Sequence, residues 1–268
     1  MKSFQITDLN IQLVISLILI AFLTSCGGSS SLPQGVEEHM VNFQRGQAAL
    51  SSGDYKLAEI EFRKAIKDYP ASAPYYNYLG LTYFLQKRYN EALLEFDKGL
   101  RITTDYSDLY NNRGLVYLEM GKENLALDEF KRALNIQDNP SPENAYFNIG
   151  RVYYLKQQWP EAGFNFKKAT DAIKRNKNKK QPLAFCFYGI CLVKQGKYYD
   201  ALKPLKEAIN LQPKLIRAHY FIGVAYYNLK RPEEALNHFM EVESMLSTND
   251  PLNSDLKEYI RKTKNPKR

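Results

Sequence analysis

The sequence is poor in the residues that do chemistry. Among its 268 residues are three cysteines, three histidines and one tryptophan. Beyond Cys26, only Cys186 and Cys191 remain. They stand five apart in one expected helix, about 140° round its axis, so they cannot readily pair. Both read as small core residues, and no disulfide framework is implied even in an oxidising compartment. His39, His219 and His238 make no metal-ligand spacing, and no nucleophile motif or phosphate loop occurs. The adjacent acids Glu233 and Glu234 read as the start of a helix, where they complement its dipole. No catalytic residue, metal, cofactor or small-molecule substrate is therefore expected. Glycine (14) and proline (12) are sparse and scattered, while tyrosine (20) and phenylalanine (14) are abundant. That balance describes a globular, helical chain long enough for a substantial core.

Long apolar runs are also lacking, with one exception near the start. Leu13 to Leu23 is too short to span a bilayer comfortably as a helix. It fits the apolar region of a signal peptide, with Lys2 as a thin positive flank that Asp8 weakens. Leu23-Thr24-Ser25-Cys26 resembles the bacterial lipobox. The resemblance implies removal of residues 1–25 and acylation of Cys26 on its thiol and new amine. An ordinary signal peptide with a chance cysteine and a retained helical anchor are the alternatives. Gly27, where such lipoproteins carry aspartate to stay in the inner membrane, favours the outer membrane facing the periplasm. One acyl chain holds a protein marginally and several hold it firmly, at about 0.8 kcal/mol per buried methylene. Residues 26–38, with two glycines and three serines directly after Cys26, read as a flexible tether.

Negative charge is short in the second half. Cys26 to Pro142 holds 13 basic and 16 acidic residues, whereas Glu143 to Arg268 holds 23 basic and 12 acidic. A basic half points to an anionic partner. For an exported protein this argues for an anionic membrane surface, a cell-wall polymer or an acidic protein face, not for nucleic acid.

The chain is most informative in its repeats. Gly46, Gly80 and Gly114 are spaced by 34; Gly150 follows at 36, Gly189 at 39 and Gly223 at 34. Twelve residues after each comes alanine: Ala58, Ala92, Ala126, Ala162, Ala201 and Ala235. Four further on stand Phe62, Phe96, Phe130, Phe166, Leu205 and Phe239. Three more bring Ala65, Gly99, Ala133, Ala169, Ala208 and Val242. This is the tetratricopeptide pattern of paired antiparallel helices. The small positions lie where helices cross closely, and the bulky ones fill the space between stacked hairpins. "SSGDY", "LQKRY", "EMGKE", "KQQWP", "KQGKY" and "NLKRP" supply the turns between the first (A) and second (B) helix of each hairpin.

The expected fold is all-α, a right-handed α-solenoid of about six hairpins. The repeats fall at 39–72, 73–106, 107–140, 143–176, 182–215 and 216–249, with a capping helix and basic tail at 250–268. Gly99 replaces alanine, and Pro204 sits inside a B helix, which it should kink. "NPSP" lengthens the third linker, and "KRNKNKKQP", with five positive charges, lengthens the fourth. The latter reads as a solvated hinge, with a membrane or partner contact behind it.

In this repeat family the A helices line the inner groove with repeat positions 2, 5, 9 and 12. Carried over by register, position 5 is Phe43, Asn77, Asn111, Phe147, Cys186 and Tyr220. Position 9 includes Leu81, Leu115 and Arg151; position 12 includes Phe84, Tyr154 and Tyr227. The face is apolar apart from Asn77, Asn111 and Arg151. An exposed apolar groove marks an interaction site, and asparagine can bond both edges of an extended peptide. Position 5 carries no lysine, so the carboxylate clamp of chaperone-binding members is not expected. Some of these residues read equally as inter-helix core.

Lipobox, short tether and six repeats together resemble the type IV pilus biogenesis lipoproteins, the secretin pilotins. "NPSPENAYFNIGRVYYLKQQWPEAGFNFKKA" is similar to their middle repeat and "DLYNNRGLVYLEMGKENLALDEFKRAL" to the one before it. The resemblance implies a membrane-anchored, chaperone-like protein that binds the secretin subunit and promotes its localisation or assembly. The alternative is a general outer-membrane scaffold for cell-wall enzymes or envelope assembly factors.

Overall fold

The structure is a computed structural model and describes residues 37–175, 181–247 and 250–264. The leader, Cys26, most of the tether, the hinge residues 176–180 and the last four residues lie outside the described residues.

Thirteen helices and no strand occur among the described residues. They pair as hairpins: α1 (Glu38–Ser52) with α2 (Tyr55–Asp68), α3 (Ala73–Leu85) with α4 (Tyr89–Ile102), α5 (Ser107–Glu119) with α6 (Glu123–Asn135). The series continues with α7 (Pro142–Leu155) and α8 (Trp159–Arg175), α9 (Pro182–Lys194) and α10 (Tyr198–Leu211), then α11 (Ile216–Asn228) and α12 (Pro232–Met245). A single helix, α13 (Leu252–Lys264), closes the array. Each helix packs on the next throughout.

The repeated glycine makes each hairpin close. A Cβ at Gly46, Gly80 or Gly114 would stand 2.5, 2.5 or 2.6 Å from the ring of Phe62, Phe96 or Phe130. Gly150, Gly189 and Gly223 meet Phe166, Leu205 and Phe239 in the same way. All six bulky residues are fully buried, as are the six alanines four positions before them. The ring of the B helix thus lies in the notch left by the missing side chain of the A helix, which gives the spacing of sixteen its mechanical sense.

The turns repeat with equal regularity. Each A helix ends on a residue with left-handed backbone: Gly53, Lys87, Gly121, Gln157, Gly196 and Lys230. The amide after it donates to a carbonyl five residues back, as from Arg88 to Tyr83 at 2.8 Å and from Arg231 to Tyr226 at 3.0 Å. This is the Schellman stop, which satisfies carbonyls the helix end would leave bare.

Two irregularities shape the array. α10 runs without a break through Pro204. The carbonyl that loses its amide partner there belongs to Asp200, an exposed first-turn residue that water can serve. The neighbouring A helices α7 and α9 scarcely touch among the described residues, whereas the other consecutive A helices do. The aromatic side chains of Phe147, Tyr154 and Phe187 fill that gap, with ring centroids 6.0 Å (Phe147–Phe187) and 5.1 Å (Tyr154–Phe187) apart. Beyond it, one continuous core runs from Ala169 to Leu256.

Candidate functional site

Among the described residues, contacts between successive A helices and the absence of comparable ones between successive B helices put the A helices on the inner curve. The concave face is therefore built from α1, α3, α5, α7, α9 and α11.

A ladder of paired side chains runs along it. Four rungs join position 5 of one A helix to position 6 of the next. Phe43 meets Tyr78 edge-on at 5.1 Å. Asn112 Nδ2 donates to Asn77 Oδ1 at 2.9 Å, and Asn148 Nδ2 donates to Asn111 Oδ1 at 3.0 Å. Phe147 meets Phe187 where α7 and α9 diverge. Tyr220 ends the series against Tyr259 of α13, 6.0 Å away. Position 5 is thus a coupling position between repeats. Asn77 and Asn111 are buried, at 4% and 9% exposure. This corrects the expectation that their amides face a peptide: burial obliges a polar group to find partners, and the next repeat supplies them. Phe43 is likewise packed between Phe62, Tyr75 and Tyr78, and Tyr220 is buried.

The other expected groove residues lie nearer solvent. Leu81, Phe84, Leu115, Phe147, Arg151, Tyr154 and Tyr227 are all half-buried. Arg151 faces Glu119 at 3.7 Å and donates to Asn148 Oδ1 at 3.5 Å. Tyr154 stands edge-on to Trp159 and Phe187, and burial raises the pKa of its hydroxyl. Tyr227 stands edge-on to Tyr259 at 5.4 Å.

The concave face deepens at its C-terminal end into a cleft of about 860 Å³. Arg217, Tyr220, Phe221 and Val224 of α11 form its floor, Lys194 of α9 one wall, and Asp255 and Tyr259 of α13 the other. Arg217 lies over the ring of Phe187 at 5.5 Å and Lys194 over that of Trp159 at 5.9 Å. The charge of Arg217 also reaches Tyr154 and Cys186.

Polar clusters outside this face are structural. Arg113 donates to Glu129 at 2.8 Å and to Asp97 at 2.6 Å, tying the second repeat to the third. His219 Nε2 lies 2.9 Å from the Pro213 carbonyl, which only accepts, so Nε2 carries the proton and Nδ1 accepts. His238 Nδ1, 3.1 Å away, is then the donor. Burial, His219 and Lys206 push the pKa of His238 down to about 4. Burial pushes the thiols of Cys186 and Cys191 up to about 12, which makes them poor nucleophiles. Among the described residues no group of three or more potential metal ligands forms.

Sequence reasoning missed the position-6 partners Asn112, Asn148 and Phe187, the cations Lys194 and Arg217, and Tyr259. The 34-residue register signals the first three, since in four of the repeats the residue one place after position 5 meets position 5 of the preceding repeat. Nothing in the register places Tyr259, which lies outside the repeats.

Models of the tetratricopeptide repeat match residues 43–107 and 107–140, and the model described as anaphase-promoting complex, cyclosome, subunit 3 matches residues 143–242. The Hsp70-Hsp90 organizing protein 1 of Glycine max is 28% identical over 113 residues, which is 42% of this chain and only 18% of that protein. Among solved structures, Pseudomonas aeruginosa pilF superposes with a TM-score of 0.71 at 17% identity, covering 86% of this chain and 98% of that one. PilW, a type IV pilus biogenesis factor, gives 0.68 at 18% identity, covering 83% and 100%. The Cut9-Hcn1 hetero-tetramer gives 0.70 at 18% identity, covering 96% of this chain and 46% of that one. Six helical hairpins with a shared glycine notch, a shared Schellman stop and these likenesses make the chain, in fold, a tetratricopeptide-repeat protein.

Proposed function

We propose that this chain is a scaffold that grips polypeptide segments of other proteins on its concave face, and that it does so as a lipid-anchored envelope protein. Its most specific form is a type IV pilus biogenesis lipoprotein, held by Cys26 in the outer membrane facing the periplasm, that promotes secretin localisation or assembly. The observation that carries this reading is a coincidence of two independent features. The hairpin array matches pilF and PilW over essentially the whole of those chains, and the sequence before it has the lipobox form at Leu23-Thr24-Ser25-Cys26. Fold likeness alone would serve any scaffold, whereas a lipidated cysteine ahead of the repeats restricts it to the envelope. The second reading, a general outer-membrane scaffold for cell-wall enzymes or envelope assembly factors, shares the anchor and the groove and differs only in the partner.

Deletion of the gene followed by electrophoresis of heat-resistant secretin multimers separates the two. Loss of multimers with retention of monomer supports the pilus reading. Unchanged multimers reject it and leave the general scaffold.

A further inference from the structure

We infer that the cleft between α9, α11 and α13 seats a polypeptide segment that carries a carboxylate beside bulky apolar side chains. The inference rests on the polypeptide-binding reading above and adds the place and the chemistry of the occupant.

The charges of the concave face are unevenly committed. In the middle of the array Arg151 lies by Glu119. Among the described residues Arg217 and Lys194 have no acidic partner within ion-pair distance, although both line the cleft. Each is instead laid over an aromatic ring, Phe187 or Trp159. A ring face holds a cation in position without neutralising it, so both charges stay available to an arriving anion. Arg217 offers a planar fork that suits a carboxylate in two-point contact.

The rest of the cleft sets what accompanies that carboxylate. Its floor offers Phe221, Val224 and Tyr220, and Tyr259 closes the side away from Lys194. Asp255 stands on that far wall, and Asp250 beside it accepts the Leu252 amide at 2.9 Å. These acids repel a carboxylate from the α13 wall, so it is directed to the α9 wall while apolar side chains occupy the floor between. A volume of about 860 Å³ lies within the range of pockets that bury most of a small ligand, and here it takes a few residues of chain. The carboxylate of an aspartate or glutamate and that of a chain terminus present the same chemistry to Arg217.

The test places a photo-crosslinking amino acid in the full-length protein in its native cells. Three positions are compared: Phe221 in the cleft, Phe84 in the N-terminal part of the groove, and Tyr199 on the outer surface, where it is 76% exposed. Crosslinked segments are sequenced by mass spectrometry. The inference expects adducts at Phe221 whose attached segment has a carboxylate within a few residues, and the sequence shows whether it is a side chain or a terminus. Arg217→Glu with Lys194→Glu is expected to lower those adducts at least tenfold, with the helical circular dichroism unchanged because both side chains are exposed. Should that variant misfold, Arg217→Gln with Lys194→Gln replaces it under the same expectation. Adducts at Phe221 that ignore both changes, that lack an acid, or that join a second copy of this chain overturn the inference. Adducts at Phe84 alone overturn the cleft but leave the polypeptide-binding groove standing. Adducts at Tyr199 alone, or at none of the three, overturn both.

Discussion

At the scale of the residue, the glycine notch explains why six positions tolerate no side chain. In Gly114→Ala the new methyl would stand 2.6 Å from the Phe130 ring, which is fully buried and cannot withdraw. Overpacking of this kind costs about 1–3 kcal/mol, against a gain in helix propensity of about 1 kcal/mol. A net loss of up to about 2 kcal/mol is expected, read as a lower urea midpoint. Gly99→Ala meets the methyl ends of Leu109, at 2.9 and 3.0 Å, and the Tyr76 Cβ at an ordinary 3.4 Å, and is expected to cost less. The left-handed stops lend themselves to the opposite change. Lys87, Gln157 and Lys230 have φ near 60° where Gly53, Gly121 and Gly196 serve the same turn. A residue with a Cβ is disfavoured there by about 1–2 kcal/mol, so Lys230→Gly is expected to raise the midpoint by a fraction of that, since glycine also loosens the unfolded chain. The notch was legible in the sequence because each repeat states it again. At the three non-glycine stops the turn was legible but the left-handed backbone was not, since lysine and glutamine do not signal it and the helix ends around them impose it.

Elements couple through the position 5–6 ladder, through α13 and through a histidine pair. Asn111→Ala leaves the buried Asn148 amide without its acceptor, a loss of about 1–3 kcal/mol. Asn111→Leu with Asn148→Leu replaces both partners by apolar groups and is expected to recover most of it, a difference that a double-mutant cycle on the urea midpoint measures. The ladder was half legible. Register fixed which residues occupy position 5, but a single repeat does not say that the next helix approaches closely enough to cover them. α13 was foreseen as a cap, while its contact with Tyr220 and Tyr227 through Tyr259 was not. Such contacts depend on the angle at which a helix outside the repeat register docks.

The histidine pair gives the C-terminal hairpins a pH dependence of definite sign. Folding holds the His238 pKa near 4 against an ordinary value of 6.5. Well above pH 6.5 both states are neutral at this site and it contributes no slope. As pH falls from there toward 4, the unfolded chain binds a proton that the folded chain refuses, so stability falls. The groups facing His238 are His219 of α11, Tyr226, against whose ring it stacks, and Lys206 of α10, none of them acidic. His238→Gln is expected to flatten the stability profile between pH 6.5 and 4, as measured by urea unfolding at fixed ionic strength.

For the whole molecule, the number of repeats and the all-helical class followed from periodicity, because a solenoid states its architecture once per turn. The binding surface did not follow so directly. Five of the eleven expected groove residues hold their hairpin to the next helix along the inner curve, and the open cations Arg217 and Lys194 emerged only once α9 and α11 were set side by side. Charge shows the same division. The excess of basic residues after Glu143 was plain in the sequence, yet which of those charges remain unpaired depends on neighbours two helices away. The envelope reading adds one prediction at this scale. Cys26→Ala should abolish fatty-acid labelling and move the protein from the membrane to the soluble fraction, whereas continued membrane retention without label would point to a helical anchor.

Hydrogen exchange tests the central claim, that the inner curve of stacked hairpins is what holds another polypeptide. The purified protein is compared alone and after addition of detergent-solubilised outer-membrane protein from the same cells. The account predicts slowed exchange in α9, α11 and α13, with α4, α6 and α10 on the outer side unchanged. Slowing confined to those outer helices, or none at all, would contradict it.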